Sequence, residues 1–137
     1  MISYNKLDEK YKNAVEFCLK NLILLENFKN LLPNNSLNNL LNKIKETEIT
    51  LDVSPYFCII KFYYEGFTEF HFEKTFDVII VHNTTNKESN EYSPDTVISA
   101  HFTRSMLVEI EIYNVDSSAI DWDNLFIGEI DVMDSLT

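Results

Sequence analysis

The chain has 137 residues, 45% of them hydrophobic, with ten Phe and seven Tyr but only two Gly and three Pro. This length and apolar inventory define a single domain over residues 1–137 with a core of its own, and they exclude a disordered acidic tail. Eleven basic against 22 acidic side chains give a net charge of −11, which disfavours nucleic-acid phosphates and anionic membranes as direct partners and favours a basic protein.

No apolar run reaches the length of a transmembrane helix. The opening stretch MISYNKLDEK lacks the apolar segment of a signal peptide, so the expected location is cytoplasmic. From Asn5 to Leu32, the residues Leu7, Tyr11, Ala14, Val15, Cys18, Leu22, Leu25 and Phe28 recur at spacings of three and four. That spacing predicts a long helix with one apolar stripe, ended by Pro33. Asn34, Asn35 and Ser36 can cap a second, shorter helix, buried through Leu37, Leu40, Leu41 and Ile44. The two form a helical hairpin. Their repeats are too short to favour a coiled-coil dimer over packing on the chain's own sheet, and the expected state is a monomer or weak homodimer.

At Glu48 the period changes from helical to two-residue alternation. Ile49–Val53 reads as a strand ended by Ser54-Pro55, and Tyr56–Tyr64 as a strand with Cys58, Ile60, Phe62 and Tyr64 on one face. Glu65-Gly66 signals a hairpin turn. The returning strand, Phe67–Lys74, would turn Phe70 and Phe72 inward and Glu69, His71 and Glu73 outward. Phe76–Val81 follows as a strand apolar on both faces. Asn83–Pro94 is almost wholly polar and is expected to be the longest loop. Val97–Thr103 alternates Ile98, Ala100 and Phe102 against Val97, Ser99 and His101. Met106–Asp116, MLVEIEIYNVD, is the clearest strand of all. Val108, Ile110 and Ile112 alternate with Leu107, Glu109, Glu111 and Tyr113, as expected of a central strand with one buried and one wet face. Asp116, Ser117 and Ser118 can start a short helix or turn through Leu125, and Phe126–Met133 reads as an edge strand. The expected fold is α+β: an N-terminal helical hairpin packed on a single antiparallel sheet of about five or six strands, arranged as a meander.

Cys18 and Cys58 fall on buried positions and read as small hydrophobes rather than a disulfide or metal pair. His71 shares a strand face with Glu69 and Glu73, and His82 or His101 would join it if their strands were neighbours. Such a group suits metal binding or general acid–base work in a small-ligand-binding or enzymatic domain. No HxH, HExxH, CxxC or GxSxG spacing supports it, so neither a catalytic centre nor a cofactor is expected.

The charge is distributed unevenly. Residues 1–51 carry seven basic and six acidic groups, whereas residues 105–137 carry no Lys or Arg against eight carboxylates. The candidate partner-binding residues are therefore Glu109, Glu111, Asp116, Asp121, Trp122, Asp123, Glu129 and Asp131. Trp122, the one Trp, lies between two carboxylates as an interface anchor would. A negative potential of this kind steers basic partners. It also suits an acidic mimic of nucleic acid.

A small acidic chain of this type, with the stretch EIEIYNVDSSAIDWDNLFIGEID from Glu109 to Asp131, resembles the immunity proteins of bacterial toxin systems, of the contact-dependent inhibition or colicin-like kind. The resemblance implies tight binding to a cognate toxin domain, often a basic nuclease, and neutralisation by covering its active site or an adjacent surface.

Overall fold

The computed structural model describes residues 1–25, 37–64, 76–83, 96–103, 106–123 and 129–134. The fold is α+β. Seven strands form one antiparallel sheet: β1 (Ile2–Ser3), β2 (Glu48–Ser54), β3 (Phe57–Tyr63), β4 (Phe76–Asn83), β5 (Thr96–Thr103), β6 (Met106–Asn114) and β7 (Glu129–Asp134). Their spatial order is β1-β2-β3-β6-β5-β4-β7. The strand with the clearest alternation, β6, is thus the middle one, and β7 is an edge as expected.

The order differs from a meander. β1-β2-β3 and β4-β5-β6 are each sequential, but β6 rather than β4 lies beside β3. Pairing Cys58↔Ile112 and Ile60↔Ile110 joins two fully buried strand faces. Both edges of β3 are thereby occupied, by β2 and by β6. The expected Glu65-Gly66 hairpin and Phe67–Lys74 strand lie outside the described residues, as does most of the Asn83–Pro94 loop.

Two helices, α1 (Glu9–Lys20) and α2 (Leu37–Lys45), cover one face of the sheet. In α1, Tyr11, Ala14, Val15, Cys18 and Leu19 are buried, so the three- and four-residue spacing faces the sheet as expected. In α2 it is Leu40 and Ile44 that are buried. They meet Ile49, Cys58, Ile60, Phe62, Ile98, Ala100, Phe102, Leu107, Ile110 and Ile112 in one core. Transfer of such side chains from water supplies roughly 1.5–3 kcal/mol each, the main term holding the layers together.

The first helix is shorter than its apolar stripe. The chain tightens into a 3-10 turn over Asn21–Leu24 and becomes extended at Leu25. Asn21 marks the change: its backbone N–H donates to the Phe17 and Leu19 carbonyls, and its Nδ2 adds a second bond to the Phe17 carbonyl at 2.8 Å. The stripe nevertheless continues through buried Leu22 and Leu25, because apolar periodicity reports which side is buried and not which hydrogen bonds are made. Residues 26–36, with Pro33 and the Asn34–Ser36 cap, lie outside the described residues.

β6 carries a bulge that re-aims its start. His101 pairs with Glu109, but Phe102 pairs with Leu107, so Val108 is the extra residue. Leu107 is therefore fully buried and Val108 only half-buried, the reverse of the assignment that strict alternation gives. The Tyr64 hydroxyl donates to the Leu107 carbonyl beside the bulge. Burial raises the pKa of that hydroxyl, keeping it a neutral donor.

Candidate functional site

Both described helices lie on one side of the sheet, and the outward strand positions form the other. Its composition follows from register. One row across it runs Thr50–Lys61–Glu109–His101, the next Asp52–Ile59–Glu111–Ser99–Ile79, and a third Ser54–Phe57–Tyr113–Val97. Glu48 pairs with Tyr63 beyond the first row. Glu48, Asp52, Glu111, Lys61, Tyr63 and Tyr113 are exposed, while Glu109, Ile59 and Phe57 are half-buried. Glu48, Asp52, Glu109 and Glu111 thus share this face with Lys61, Phe57, Tyr63 and Tyr113, and the position of Asp77 joins the first row through its pair with His101.

Two predicted partner-binding residues, Glu109 and Glu111, belong to this face, on its central strand. The ladder positions of Glu129 and Asp131 belong to it as well, through the pairs Asn83↔Glu129 and Val81↔Asp131. The other four predicted residues do not. Asp116 stands in the turn after β6, where its Oδ1 accepts from the Ser118 amide at 2.9 Å. Hydrogen bonds from the Ser118 side chain and backbone hold its carboxyl below the usual range. The chain then passes the β2–β3 turn, where the Ile120 amide donates to the Pro55 carbonyl at 2.9 Å. It ends against α1: the Trp122 ring stands edge-on to Tyr11, with centroids 5.2 Å apart. Asp121 and Asp123, flanking it, are exposed beside the helical layer.

This connection contains no helix as far as Asp123; the Asp116–Ser118 cluster makes a turn, with Ser117 at φ 61°. Its anchor is Asn114, a buried polar residue. Asn114 Nδ2 donates to the carbonyls of Ser118 and Ala119 at 3.2 and 2.9 Å. Asn114 Oδ1 accepts from the Thr96 hydroxyl at 2.5 Å. A side chain that supplies these carbonyls with donors holds a non-helical turn in place without needing a helical ladder.

Only part of the expected histidine group falls among the described residues. His71, Glu69 and Glu73 lie outside the described residues. His101 occupies the outward face, with its Nε2 3.2 Å from the Thr103 hydroxyl. His82 pairs with Thr96, an odd number of residues along β5 from His101, so the two positions belong to opposite faces. Among the described residues no group of three His, Cys, Asp or Glu is arranged to hold a metal. Cys18 and Cys58 are buried and free; burial pushes each thiol up to about 12, far from a reactive thiolate.

Sequence reasoning placed Tyr113 on the wet face with Glu109 and Glu111 but missed Glu48, Asp52 and Phe57 as members of this surface. The signal was present in the phase of β2, where Glu48, Thr50 and Asp52 alternate with Ile49, Leu51 and Val53. Counting charge along the chain could not join β2 to β6, which β3 separates.

No family model, curated protein or solved structure matches this chain. No helix among the described residues is long and apolar enough to cross a membrane.

Proposed function

We propose that the chain is a bacterial cytoplasmic inhibitor of the immunity-protein kind, which binds and neutralises a cognate, basic toxin domain, for instance a nuclease. The observation that carries this reading is the outward face of the middle strand. There Glu109, Glu111 and Tyr113 stand on the side of the sheet away from both helices, with Glu48 and Asp52 nearby. Carboxylates on a rigid, central strand keep fixed spacing, which complementary Lys and Arg can match at low ordering cost. Tyrosines among them supply amphipathic contact area of the kind found at interface hot spots.

The test is genetic. The reading frame adjacent to this gene is expressed in a bacterial host with and without the chain. The reading requires that the neighbour's product stop growth, that the chain restore it, and that Glu109→Lys with Glu111→Lys abolish the rescue while the variant stays folded. A harmless neighbour, or full rescue by the double variant, overturns it.

A further inference from the structure

We propose that the open edge of β2 captures an extended strand of a partner protein, one that places a basic residue between two apolar ones. Among the described residues, β1 alone lies on that side of β2 and covers its start, through Ser3↔Glu48 and Ile2↔Ile49. The Tyr4 amide donates to the Thr47 carbonyl at 3.0 Å, so Thr47 turns its backbone groups towards β1. By the two-residue alternation of a strand, Ile49, Leu51 and Val53 do the same. Beyond Ile49 no described strand lies on that side. Leu51 and Val53 therefore each direct an N–H and a C=O outward along the edge.

The side chains agree with an unfilled strand position. Ile49, Leu51 and Val53 point to the same side of the sheet, yet Ile49 is 0% exposed while Leu51 and Val53 are 37% and 41% exposed. Ile2, next to them, is 44% exposed. Natural edge strands are often blunted by charged side chains, above all lysine, by a proline or by a bulge. Thr50–Ser54 contains no lysine, proline or bulge, and its ladder with β3 is regular throughout. What it does contain is exposed Asp52, midway between the two apolar residues and pointing to the outward face.

Asp52 selects the occupant. A second copy of this chain could add its own β2 antiparallel, but the symmetric register that uses the whole edge pairs Leu51 with Val53 and sets Asp52 against Asp52. Like charges directly opposite in a sheet are destabilising, and a net charge of −11 on each copy adds repulsion. An incoming strand of the pattern apolar–basic–apolar meets all three side chains with complementary chemistry. Its main chain takes up the four outward backbone groups, the mode known as β-augmentation. The inference shares Asp52 with the outward face but rests on the edge of β2, not on what β6 receives.

The test uses the full-length chain and a capped synthetic peptide of alternating valine and lysine, read by amide NMR and hydrogen exchange. The Leu51 and Val53 amides should gain protection on titration. A backbone N-methylated peptide should give none. A valine–glutamate peptide should bind at least roughly fivefold more weakly, the preference set by a directly opposed charge pair. Asp52→Lys should reverse that preference with an unchanged thermal melt. Val53→Pro, which removes an outward N–H, should abolish binding; Leu51→Lys serves as the second edge variant should the proline disturb folding. Protection that arises with protein concentration alone would assign the edge to a second copy and overturn the proposal. Equal binding of the lysine and glutamate peptides, or shifts confined to other strands, would do the same.

Discussion

Trp122 and Tyr11 meet edge to face, their planes at 89° and their centroids 5.2 Å apart. The Lys10 ammonium lies over both rings, 5.0 Å from Tyr11 and 5.5 Å from Trp122. The connection after β6 is thus fastened to the first helix by an aromatic pair under a cation. Such a pair contributes about 0.5–1.5 kcal/mol beyond its buried area, and the cation adds about 0.5–1 kcal/mol where it is solvent-exposed.

Trp122→Ala should therefore lower the melting temperature, by about 2–3 kcal/mol of stability. Tyr11→Leu should cost less alone, and the double variant should show a coupling of roughly 1 kcal/mol. The check is a urea double-mutant cycle. Additive costs would mean that the two rings are merely neighbours.

Tyr4 carries the opposite expectation. It is 2% exposed, its ring is 6.5 Å from Phe62, and its hydroxyl has no hydrogen-bond partner among the described residues. Burial, with Glu16 and Glu9 adding to it, pushes that hydroxyl up to about 12. A buried donor left unmade costs about 1–3 kcal/mol. Tyr4→Phe should then leave the protein as stable or more stable, by up to ~1 kcal/mol, in chemical denaturation. A clear loss of stability would reveal a partner for the hydroxyl in solution.

The same accounting predicts a loss at Asn114. Its amide serves two carbonyls and the Thr96 hydroxyl in a buried setting. Asn114→Ala strands several groups at once and should cost about 2–4 kcal/mol, whereas Thr96→Val strands one and should cost about 1–2 kcal/mol. The Ser118 and Ala119 carbonyls belong to the connection that carries Trp122. Asn114→Ala should therefore also shift the Trp122 fluorescence, and Thr96→Val should do so less. Equal destabilisation by both variants would show that the turn does not depend on the amide.

Asn114 also illustrates where the sequence ceased to be informative. The expected strand runs on to Asp116, but it ends at Asn114, and only the neighbouring Thr96 and the returning Ser118 and Ala119 show what that residue holds. Ile110, Ile112, Ile98, Ala100 and Phe102 were legible because one-sided burial imposes a two-residue period. Leu107 and Val108 were not, since the bulge changes phase through a pairing with β5 that no local pattern encodes. Strand order was hidden for a related reason: it depends on contacts distant in sequence. Among the candidate residues, Glu109 and Glu111 could be placed from phase alone. Trp122 and its flanking aspartates could not, because a connection has no period to read.

That division of the acidic segment yields the last prediction. Glu48, Asp52, Glu109 and Glu111 share the outward sheet face, whereas Asp121 and Asp123 flank a ring packed on α1. If the outward face receives a basic partner, converting these four of its carboxylates to amides should slow association, with a smaller change in dissociation. Raising the salt should shrink the difference, because the screening length is already about 8 Å at 0.15 M. The Asp121→Asn and Asp123→Asn pair, at another part of the surface, should slow association less than the Glu109→Gln and Glu111→Gln pair, although each removes the same charge. Exposed Glu48, Asp52 and Glu111 lose little stability as amides, so both sets should melt near the parent temperature. Association kinetics with the growth-inhibiting neighbour, at two salt concentrations, decide the matter. Equal slowing by the two pairs would mean that net charge alone steers the encounter and that the sheet face is not the docking surface.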